Sequence, residues 1–360
     1  MIGVRCTNNS RKKRMQARRR RKRILRSMIL CLLVLCVVAS FLIIKNLFAK
    51  ETLVAEYEQQ QYNQAVYKGS LFSSDLCVVR EGENLEDGTM SKDGNSEIPD
   101  STTLTSAALL DVDGASVDYS YNVYEKLYPA SVTKIMTALV ALENGNLSDV
   151  VTVNVDESDF AADEQTCGLK RGDQLALEAL LNGLLLHSGN DNANAIAEYI
   201  GGSVEEFAKM MNKKAAELMA TGTHFVNPSG LHDDDHYTTA YDIYLIFNEC
   251  VKNKDFVDII DKKDYKAEIT GADGTKREVT WEASNYYAQG TVELPEHAKI
   301  IGGKTGTTKK AGNCLVLLNE SQDGKPYISI VMGAKSKDLL YQDMTTLIQG
   351  IASAENQAES

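Results

Sequence analysis

Two side chains at the start of a predicted helix have the spacing of a nucleophile and its base. Ser131 and Lys134 are one helical turn apart, so on a helix they share a face. Apolar residues recur at helical spacing over residues 132–142, and Asn-Gly at 144–145 predicts the helix end. The free amides of a helix N-terminus favour developing negative charge, so a hydroxyl and an amine placed there are a candidate activated nucleophile. The same spacing recurs by chance at Ser10 and Lys13, in an arginine-rich segment, so the pair needs corroboration.

Two further short motifs supply it. Residues 188–190 (Ser-Gly-Asn) follow a leucine-rich stretch, and residues 304–306 (Lys-Thr-Gly) end a predicted strand. The Ser-x-Asn pattern also occurs at 120–122, but that copy precedes Ser131 and falls in a predicted hairpin. Three motifs in this order, each at the edge of a regular element, are far more specific than any one of them.

The elements that must position these motifs alternate between strands and a helical block. Asp113-Gly114 is a turn dipeptide between two apolar runs and predicts a β-hairpin. Asp173 is expected to cap a buried leucine-rich helix, and Ser203 with Glu206 forms a capping box. The remaining predicted helices cover residues 191–200, 239–251 and 338–351, and the remaining strands cover 150–155, 299–305, 314–318 and 327–332. This order predicts an α+β fold, with an antiparallel sheet that combines strands from both ends of the chain.

Charge divides the chain into two parts. Residues 1–26 hold 12 Lys and Arg and no acid, so the rest of the chain carries a net charge of −24. Residues 28–44 have no charged side chain, which fits the short end of a membrane-spanning helix. Basic residues on one flank predict a cytoplasmic N-terminus and an extracytoplasmic remainder. Nucleic-acid binding by the acidic remainder is not expected.

The predicted organisation follows from this division. We expect a basic cytoplasmic tail (1–27), a transmembrane anchor (28–48), a spacer with a possible first strand and an acidic loop (49–103), a catalytic domain (104–352) and a short tail (353–360). A signal peptide cleaved after Ala49, giving a secreted protein, remains the alternative to the anchor.

The cysteines do not form a recognisable framework. Cys77, Cys167, Cys250 and Cys314 fall in the predicted exported part, spread singly and without a Cys-x-x-Cys pair. Buried free thiols are therefore expected, and a single bridge such as Cys167 to Cys314 remains open. The His and Asp residues at 232–236 lack the spacing of a metal site, so we expect neither a metal nor a cofactor.

Together the three motifs resemble those of the penicillin-recognising serine enzymes. The flanking residues at 129–138, 185–191, 227–231, 236–242 and 302–307 narrow the resemblance to the D-alanyl-D-alanine carboxypeptidases, and the similarity extends over about residues 104–350. The resemblance implies a β-lactamase/transpeptidase-like fold, with a sheet flanked by helices and a helical subdomain. It also implies hydrolysis of peptidoglycan stem peptides that end in D-Ala-D-Ala, and covalent inhibition by β-lactams.

The resemblance also implies a role for each motif residue. Ser131 is the nucleophile and Lys134 its base, while Ser188 relays a proton and Asn190 holds Lys134 and the substrate. Lys304 and Thr305 bind the terminal carboxylate. Gly306 lets the substrate lie against the strand, and the amides of Ser131 and Thr307 form the oxyanion hole. A lysine with an ordinary pKa of about 10.4 is protonated at neutral pH, so Lys134 must be buried or lie near a second cation, for which Lys304 is the candidate.

Three other functions remain as alternatives. D,D-endopeptidase activity on cross-links depends on the shape of the groove, which the motifs do not fix. A class A β-lactamase is disfavoured because the only Glu-x-x-x-Asn after Ser188 is at 249–253, too far along the chain. A non-catalytic β-lactam receptor is disfavoured because about 27 cytoplasmic residues leave no room for a signalling domain.

Overall fold

A computed structural model describes residues 99–296 and 298–358. Its strands are β1 (Ser106–Asp111), β2 (Ser116–Tyr121), β3 (Val150–Thr152), β4 (Gln174–Ala176), β5 (Asp264–Thr270), β6 (Lys276–Glu282), β7 (Ala298–Thr308), β8 (Gly312–Ser321) and β9 (Pro326–Ala334). Its helices are α1 (Lys134–Asn144), α2 (Leu177–Asn182), α3 (Asn190–Gly201), α4 (Val204–Glu217), α5 (Ala240–Val251), α6 (Lys254–Ile260), α7 (Tyr286–Gln289) and α8 (Lys337–Ala358).

The larger sheet has five strands in the order β2-β1-β9-β8-β7. Every neighbouring pair in it is antiparallel, and β1 pairs with β9, so the first hairpin joins the last strands of the chain. The predicted α+β fold with a sheet built from both chain ends is confirmed. The strand that carries residues 304–306 is β7, at the edge of this sheet.

The two faces of the five-stranded sheet are covered by different elements. Val316 and Leu318 of β8 belong to the core shared with the helical block, while Leu315 and Leu317 belong to a second core beneath α8. Alternate residues of a strand point to opposite faces, so a run of apolar residues indicates burial on both sides. Met344 and Ile348 of α8, one helical turn apart, are completely buried in the second core.

The helical block begins differently from the prediction. Asp173 does not cap a helix: residues 174–176 form β4, and α2 begins only at Leu177, after Ala176 with no side-chain cap. The Asp173 carboxylate instead accepts hydrogen bonds from the Arg277 guanidinium on β6 and from the amide of Lys170. This ion pair links the start of β4 to the edge strand β6 of the smaller antiparallel sheet, whose strand order is β3-β4-β5-β6.

The predicted starts of α4 and α5 agree with the structure. The Ser203 hydroxyl accepts the amide of Glu206 at the start of α4, and Thr239 caps α5 by accepting the amide of Asp242. Three elements were not predicted from the sequence: α6, α7 and the β5–β6 hairpin.

The predicted anchor at 28–48, the spacer and the possible first strand at 76–79 lie outside the described residues. Within the described part of the chain, no helix combines the length and the apolar character needed to cross a bilayer. Cys167, Cys250 and Cys314 are buried free thiols there, so Cys167 and Cys314 are not bridged.

Candidate active site

Ser131 lies in a short 3₁₀ turn, Ala130–Thr133, immediately before α1. Pro129 precedes this turn, and its carbonyl accepts the amide of Val132 at 3.2 Å. Ala130 has a φ of +48°, a conformation that costs a residue with a side chain of the order of 1 kcal/mol or more. The turn therefore presents the hydroxyl of Ser131 at the N-terminus of a buried helix, as the sequence predicted.

The amine of Lys134 joins three parts of the chain. Its Nζ donates to Ser131 Oγ at 3.0 Å, to Asn190 Oδ1 at 2.7 Å and to the backbone carbonyl of Ser229 at 2.7 Å. Lys134 is 0% exposed. Three acceptors use all three donors of a protonated amine, and in the neutral form the amine has a lone pair for the Ser131 proton.

The surroundings of Lys134 favour its neutral form. Burial lowers the pKa of the amine well below that of an ordinary lysine, and the charge of Lys304 lowers it further. The buried carboxylate of Asp191 acts in the opposite direction. Because loss of solvation is the dominant effect, Lys134 meets the requirement of a general base.

A second amine forms the opposite side of the site. Lys304 Nζ, on β7, donates to Ser188 Oγ at 2.9 Å and to the carbonyl of Thr305 at 2.9 Å. Lys304 is 1% exposed, and burial lowers its pKa to about 7. The two buried amines repel each other when both are charged, which favours loss of a proton from the pair.

Ser188 is held in a strained backbone conformation. It follows a π-helical turn, Gly183–His187, and has a φ of +68°. Glycine adopts this left-handed conformation without cost, whereas serine does not, and such strain concentrates at functional sites. Here it directs the hydroxyl towards Lys304.

Asp191 fixes the loop that surrounds Ser188 and Asn190. Its carboxylate accepts the amides of Cys167, Leu169 and Asn192 at 2.9–3.0 Å, and it is 0% exposed. Burial raises the pKa of this carboxyl, and the amide donors oppose that effect. The amide of Asn190 donates to the carbonyl of Gln165 at 2.8 Å, which ties α3 to the same loop.

The edge strand β7 lies directly against the turn that carries Ser131. A Cβ added to Gly306 would lie 3.0 Å from the amide nitrogens of Ser131 and Val132 and from the carbonyl oxygen of Pro129. No larger residue fits without separating the strand from the turn. The free edge of a sheet offers amides and carbonyls to an extended peptide, so this strand is suited to hold one beside Ser131.

The Thr305 and Thr307 side chains have separate partners. Thr305 Oγ1 and Ser284 Oγ are 2.6 Å apart, and Ser284 lies just before α7. The Thr307 hydroxyl donates to Asn313 Oδ1 on β8. The side chain of Thr307 thus supports the strand.

A rigid turn supplies the third contact of Lys134. Asn227 Oδ1 accepts the amides of Ser229 and Gly230, and its Nδ2 donates to the carbonyl of Leu231. A Cβ on Gly230 would lie 1.8 Å from the carbonyl oxygen of Ala130, so this turn touches the backbone next to Ser131. This turn therefore provides the backbone carbonyl that accepts a hydrogen bond from Lys134.

The ring of His236 connects the segment at Val226 with the 3₁₀ turn that carries Ser131. The amide of Val226 donates to its Nδ1 at 3.2 Å, so the ring proton is on Nε2, which donates to Thr133 Oγ1 at 2.8 Å. Burial lowers the pKa of His236 to about 4, so the ring is neutral at physiological pH. Among the described residues no group of three or more His, Cys, Asp or Glu side chains is arranged to hold a metal ion.

Comparison with known proteins agrees with this geometry. The sequence model of a protein family described as D-alanyl-D-alanine carboxypeptidase matches residues 93–336, more than half of the chain. The chain belongs to the D-alanyl-D-alanine carboxypeptidase family.

Individual members of this carboxypeptidase family give the degree of similarity. The chain is 34% identical over 237 residues to the D-alanyl-D-alanine carboxypeptidase DacF of Bacillus subtilis, covering 64% of this chain and 57% of that protein. It is 36% identical over 190 residues to DacB2 of Mycobacterium tuberculosis, covering 52% and 60%. The chain therefore spans a little under two thirds of the length of these relatives.

A solved structure of similar fold is the Streptomyces K15 DD-transpeptidase. The two agree with a TM-score of 0.65 and 28% identity, over 71% of this chain and 99% of that one. The predicted α+β fold with a sheet flanked by helices corresponds to this fold.

The structure brings the predicted motif residues into two hydrogen-bonded groups, and their amines, Lys134 and Lys304, lie close enough to repel each other. Ser131, Lys134 and Asn190 form one hydrogen-bonded group, and Ser188, Lys304 and Thr305 form another. Three groups that hold the site residues are not part of the three motifs: the carbonyl of Ser229, the hydroxyl of Ser284 and the ring of His236. Ser284 and His236 act through partners distant in sequence, and a carbonyl belongs to every residue, so none of them has a signature in a single sequence.

Proposed function

We propose that this chain is a serine-type D-Ala-D-Ala carboxypeptidase, which removes the terminal D-alanine of a peptidoglycan stem peptide through an acyl-enzyme on Ser131. The observation that carries the proposal is the completely buried Lys134 amine, 3.0 Å from the Ser131 hydroxyl and held by Asn190 and the Ser229 carbonyl. Membership of the family supports the choice of substrate.

Acylation follows from these contacts. Ser131 Oγ attacks the carbonyl carbon of the penultimate D-Ala while its proton moves to the neutral Lys134 amine. The amides of Ser131 and Thr307 stabilise the negative charge on the carbonyl oxygen. As the C–N bond breaks, Ser188 donates its proton to the departing D-alanine nitrogen and takes up the proton that Lys134 accepted from Ser131, so Lys134 is neutral again, while Lys304 stays hydrogen-bonded to Ser188.

Deacylation restores the enzyme. A water molecule attacks the ester carbonyl and gives its proton to Lys134, and Ser131 leaves with a proton returned from that lysine. The shortened peptide departs with a new carboxylate. Lys304 and Thr305 bind the terminal carboxylate of the substrate, the feature that distinguishes an exopeptidase.

β-Lactams fit the same chemistry as covalent inhibitors. The ring amide takes the place of the scissile bond, and its carboxylate takes the place of the terminal carboxylate at Lys304 and Thr305. After the ring opens, its nitrogen stays attached to the acyl group and does not diffuse away, so we expect a long-lived ester on Ser131.

The direct test measures free D-alanine from a pentapeptide ending in D-Ala-D-Ala and labelling by a fluorescent penicillin. The wild-type chain is expected to release D-alanine and to be labelled, and Ser131→Ala to do neither. The matched control Ser158→Ala, at an exposed position of the 3₁₀ turn Glu157–Asp159, is expected to do both. Labelling without D-alanine release would replace the carboxypeptidase with an endopeptidase or a receptor. Labelling that survives in Ser131→Ala would refute the assignment of the nucleophile.

We also propose that the chain is anchored in the cell membrane by residues 28–48, with its catalytic part outside the cytoplasm. The uncharged run at 28–44 and the basic residues before it support this topology. Membrane fractionation and the mass of the mature chain test it. A soluble chain that begins near residue 50 would show that the segment is cleaved.

A further inference from the structure

Two exposed lysines lie at the end of the strand that borders Ser131. β7 ends at Thr308, and Lys309 and Lys310 follow it in the turn that leads into β8 at Gly312. Both lysines are exposed. Within the part of the chain that the structure describes, neither lysine forms an ion pair with an acidic side chain. The turn therefore presents two adjacent positive charges to a ligand that lies along β7.

The turn holds both lysines close to the part of β7 that borders Ser131. The Thr308 hydroxyl accepts the amide of Ala311 at 3.0 Å, and Thr308 pairs with Gly312 across the hairpin. Gly312 has a φ of +68°, and a Cβ there would lie 2.9 Å from a backbone carbonyl oxygen of β9. Consecutive Cα atoms are about 3.8 Å apart, so the backbone of Lys309 lies no more than about 8 Å from that of Thr307. Both cations therefore lie a short distance beyond the amide assigned to the oxyanion hole.

The proposed function sets the direction of the peptide along β7. Lys304 and Thr305 bind the terminal carboxylate, and the amide of Thr307 binds the oxygen of the scissile carbonyl. Gly306 lies between these two points and directly against the amide of Ser131. A peptide held at both points runs antiparallel to β7, with its terminal residue at Lys304 and its preceding residues towards the end of the strand. The part of the substrate that precedes the scissile bond therefore approaches the turn that carries the two lysines.

The stem peptide carries a second carboxylate at a matching distance. Its second residue is a glutamate joined to the third through the γ-carboxyl group, so the α-carboxylate of this glutamate stays free. In an extended peptide this carboxylate lies about 14 Å from the terminal one. Lys304 and Lys309 are five residues apart, about 17 Å along a strand. The difference is within the reach of a lysine side chain, which places its charge on a flexible four-carbon stem.

The charge of the whole chain gives these two lysines a particular importance. Residues 27–360 have a net charge of −24, which repels an anionic peptide at long range. Along β7 the positive charges lie at both ends of the bound peptide, with Lys304 at one end and the pair Lys309 and Lys310 at the other. Each carboxylate of the peptide therefore meets a charge of opposite sign, and this complementarity favours one register of the peptide on the strand.

We propose that Lys309 and Lys310 bind the free α-carboxylate of the second residue of the stem peptide. The proposal rests on the proposed function for the direction of the peptide, and it adds a determinant of substrate choice to that function. Its consequence is that this chain prefers a stem peptide with glutamate at the second position over one with isoglutamine, in which an amide replaces the carboxylate. The preference comes from ion pairs at an exposed turn, so it decreases as the salt concentration rises.

The first test compares kcat/KM for two pentapeptides that end in D-Ala-D-Ala, have lysine as the third residue and differ only in glutamate or isoglutamine as the second. In the full chain the glutamate peptide is expected to be favoured about three- to tenfold, and the double variant Lys309→Gln with Lys310→Gln to bring this ratio to about one. The matched control, Lys299→Gln with Lys325→Gln, removes the same charge at the other end of β8, about 30 Å away, and should keep the ratio. An equal ratio in the wild type and in the Lys309 and Lys310 double variant would overturn the proposal.

A second test does not depend on peptidase activity. The same two peptides are titrated into the full chain with Ser131→Ala, and calorimetry measures the Kd of each. Tighter binding of the glutamate peptide that disappears when Lys309→Gln and Lys310→Gln are added supports the proposal even if the wild-type chain releases no D-alanine. Absence of binding, an equal Kd for the two peptides, or a difference that the lysine substitutions leave in place refutes it even if the carboxypeptidase activity is present.

Discussion

Lys134 has to lose its proton before Ser131 can attack, and its contacts determine how readily that happens. The amine is surrounded by an amide oxygen, a carbonyl and the nucleophile, and the side chain is completely buried from bulk solvent. A substitution of Lys134 that keeps its positive charge but cannot accept a proton therefore tests whether acylation needs the charge or the base.

Lys134→Arg is expected to lose acylation as completely as Lys134→Met. An arginine retains its proton at all relevant pH values, so it cannot accept one from Ser131. Loss of a general base costs about 10²- to 10⁴-fold in rate, and the second-order rate of labelling by fluorescent penicillin measures it. The unfolding midpoint of Lys134→Met, an uncharged residue of similar length, checks that the fold survives. Substantial labelling in Lys134→Arg would contradict the role of base.

Ser284 is expected to position the hydroxyl of Thr305. The two oxygens are 2.6 Å apart, and loss of one hydrogen bond costs about 0.5–1.5 kcal/mol. Ser284→Ala should therefore raise KM for the D-Ala-D-Ala peptide about two- to tenfold, with little change in kcat. The double variant Ser284→Ala with Thr305→Val should be scarcely worse than Thr305→Val alone, because the coupling is already lost. Additive effects would show that Ser284 acts elsewhere.

At this scale the sequence predicts the side chains of the site but not their supports. Ser131, Lys134, Ser188, Asn190 and Lys304 are recognisable because the chemistry demands their types at short spacings. Ser229 contributes only its carbonyl, and the Thr133–His236 contact joins residues 103 positions apart. Such contacts depend on how distant turns pack, which spacing does not encode.

At the scale of elements, the 3₁₀ turn at Ala130–Thr133 is held between β7 and the turn around Gly230. Gly230 has a φ of +83°, and any Cβ there would strike the Ala130 carbonyl. Gly324, in the loop between β8 and β9, has the same φ of +83° but no atom within 4 Å of the equivalent Cβ. Substituting each of the two glycines therefore separates the energetic cost of the left-handed backbone conformation from the cost of the contact with Ala130.

Gly324→Ala is expected to lower the free energy of unfolding by about 1 kcal/mol, the cost of placing alanine in a left-handed conformation. Gly230→Ala should lower it by a further 1–3 kcal/mol, since backbone atoms must shift to relieve the overlap. It should also slow penicillin acylation, because the Ser229 carbonyl moves away from Lys134. Urea unfolding and labelling rates measure the two effects. Equal stability of the two variants would show that the turn around Gly230 relieves the overlap with Ala130 without a loss of unfolding free energy.

The elements that the sequence missed share a physical reason. In β6, Lys276–Glu282, only Trp281 is buried, so the apolar pattern of a strand is missing from the sequence. The strand forms because it pairs with β5. Asp173 has the sequence setting of a helix cap, yet it pairs with Arg277, 104 residues away. By contrast, β8 and β9 are buried on both faces and were readily predicted, because apolar content alone marks them.

At the scale of the whole molecule, the two buried lysines oppose folding at neutral pH. Lys304 has a pKa of about 7 in the folded chain and an ordinary value of 10.5 when unfolded. Between these values only the unfolded chain holds the proton, so stability rises with pH. Below pH 7 both states are protonated, and the folded state carries the whole cost of a buried charge. The site is thus maintained at the expense of stability.

Lys304→Met is therefore expected to be more stable than the wild-type chain at pH 7, while losing peptidase activity. Its advantage in unfolding free energy should shrink as pH rises from 7 to 10, by up to about 1.4 kcal/mol per pH unit, because the wild type is progressively relieved of its buried charge. Urea unfolding of both full chains at several pH values measures the difference, in which groups common to both cancel. Lys299→Met, at an exposed position of the same strand, is the matched control and should show no such dependence. A constant difference between Lys304→Met and wild type over this range would mean that Lys304 folds with an ordinary pKa, and it would contradict a cost of its burial to the folded state.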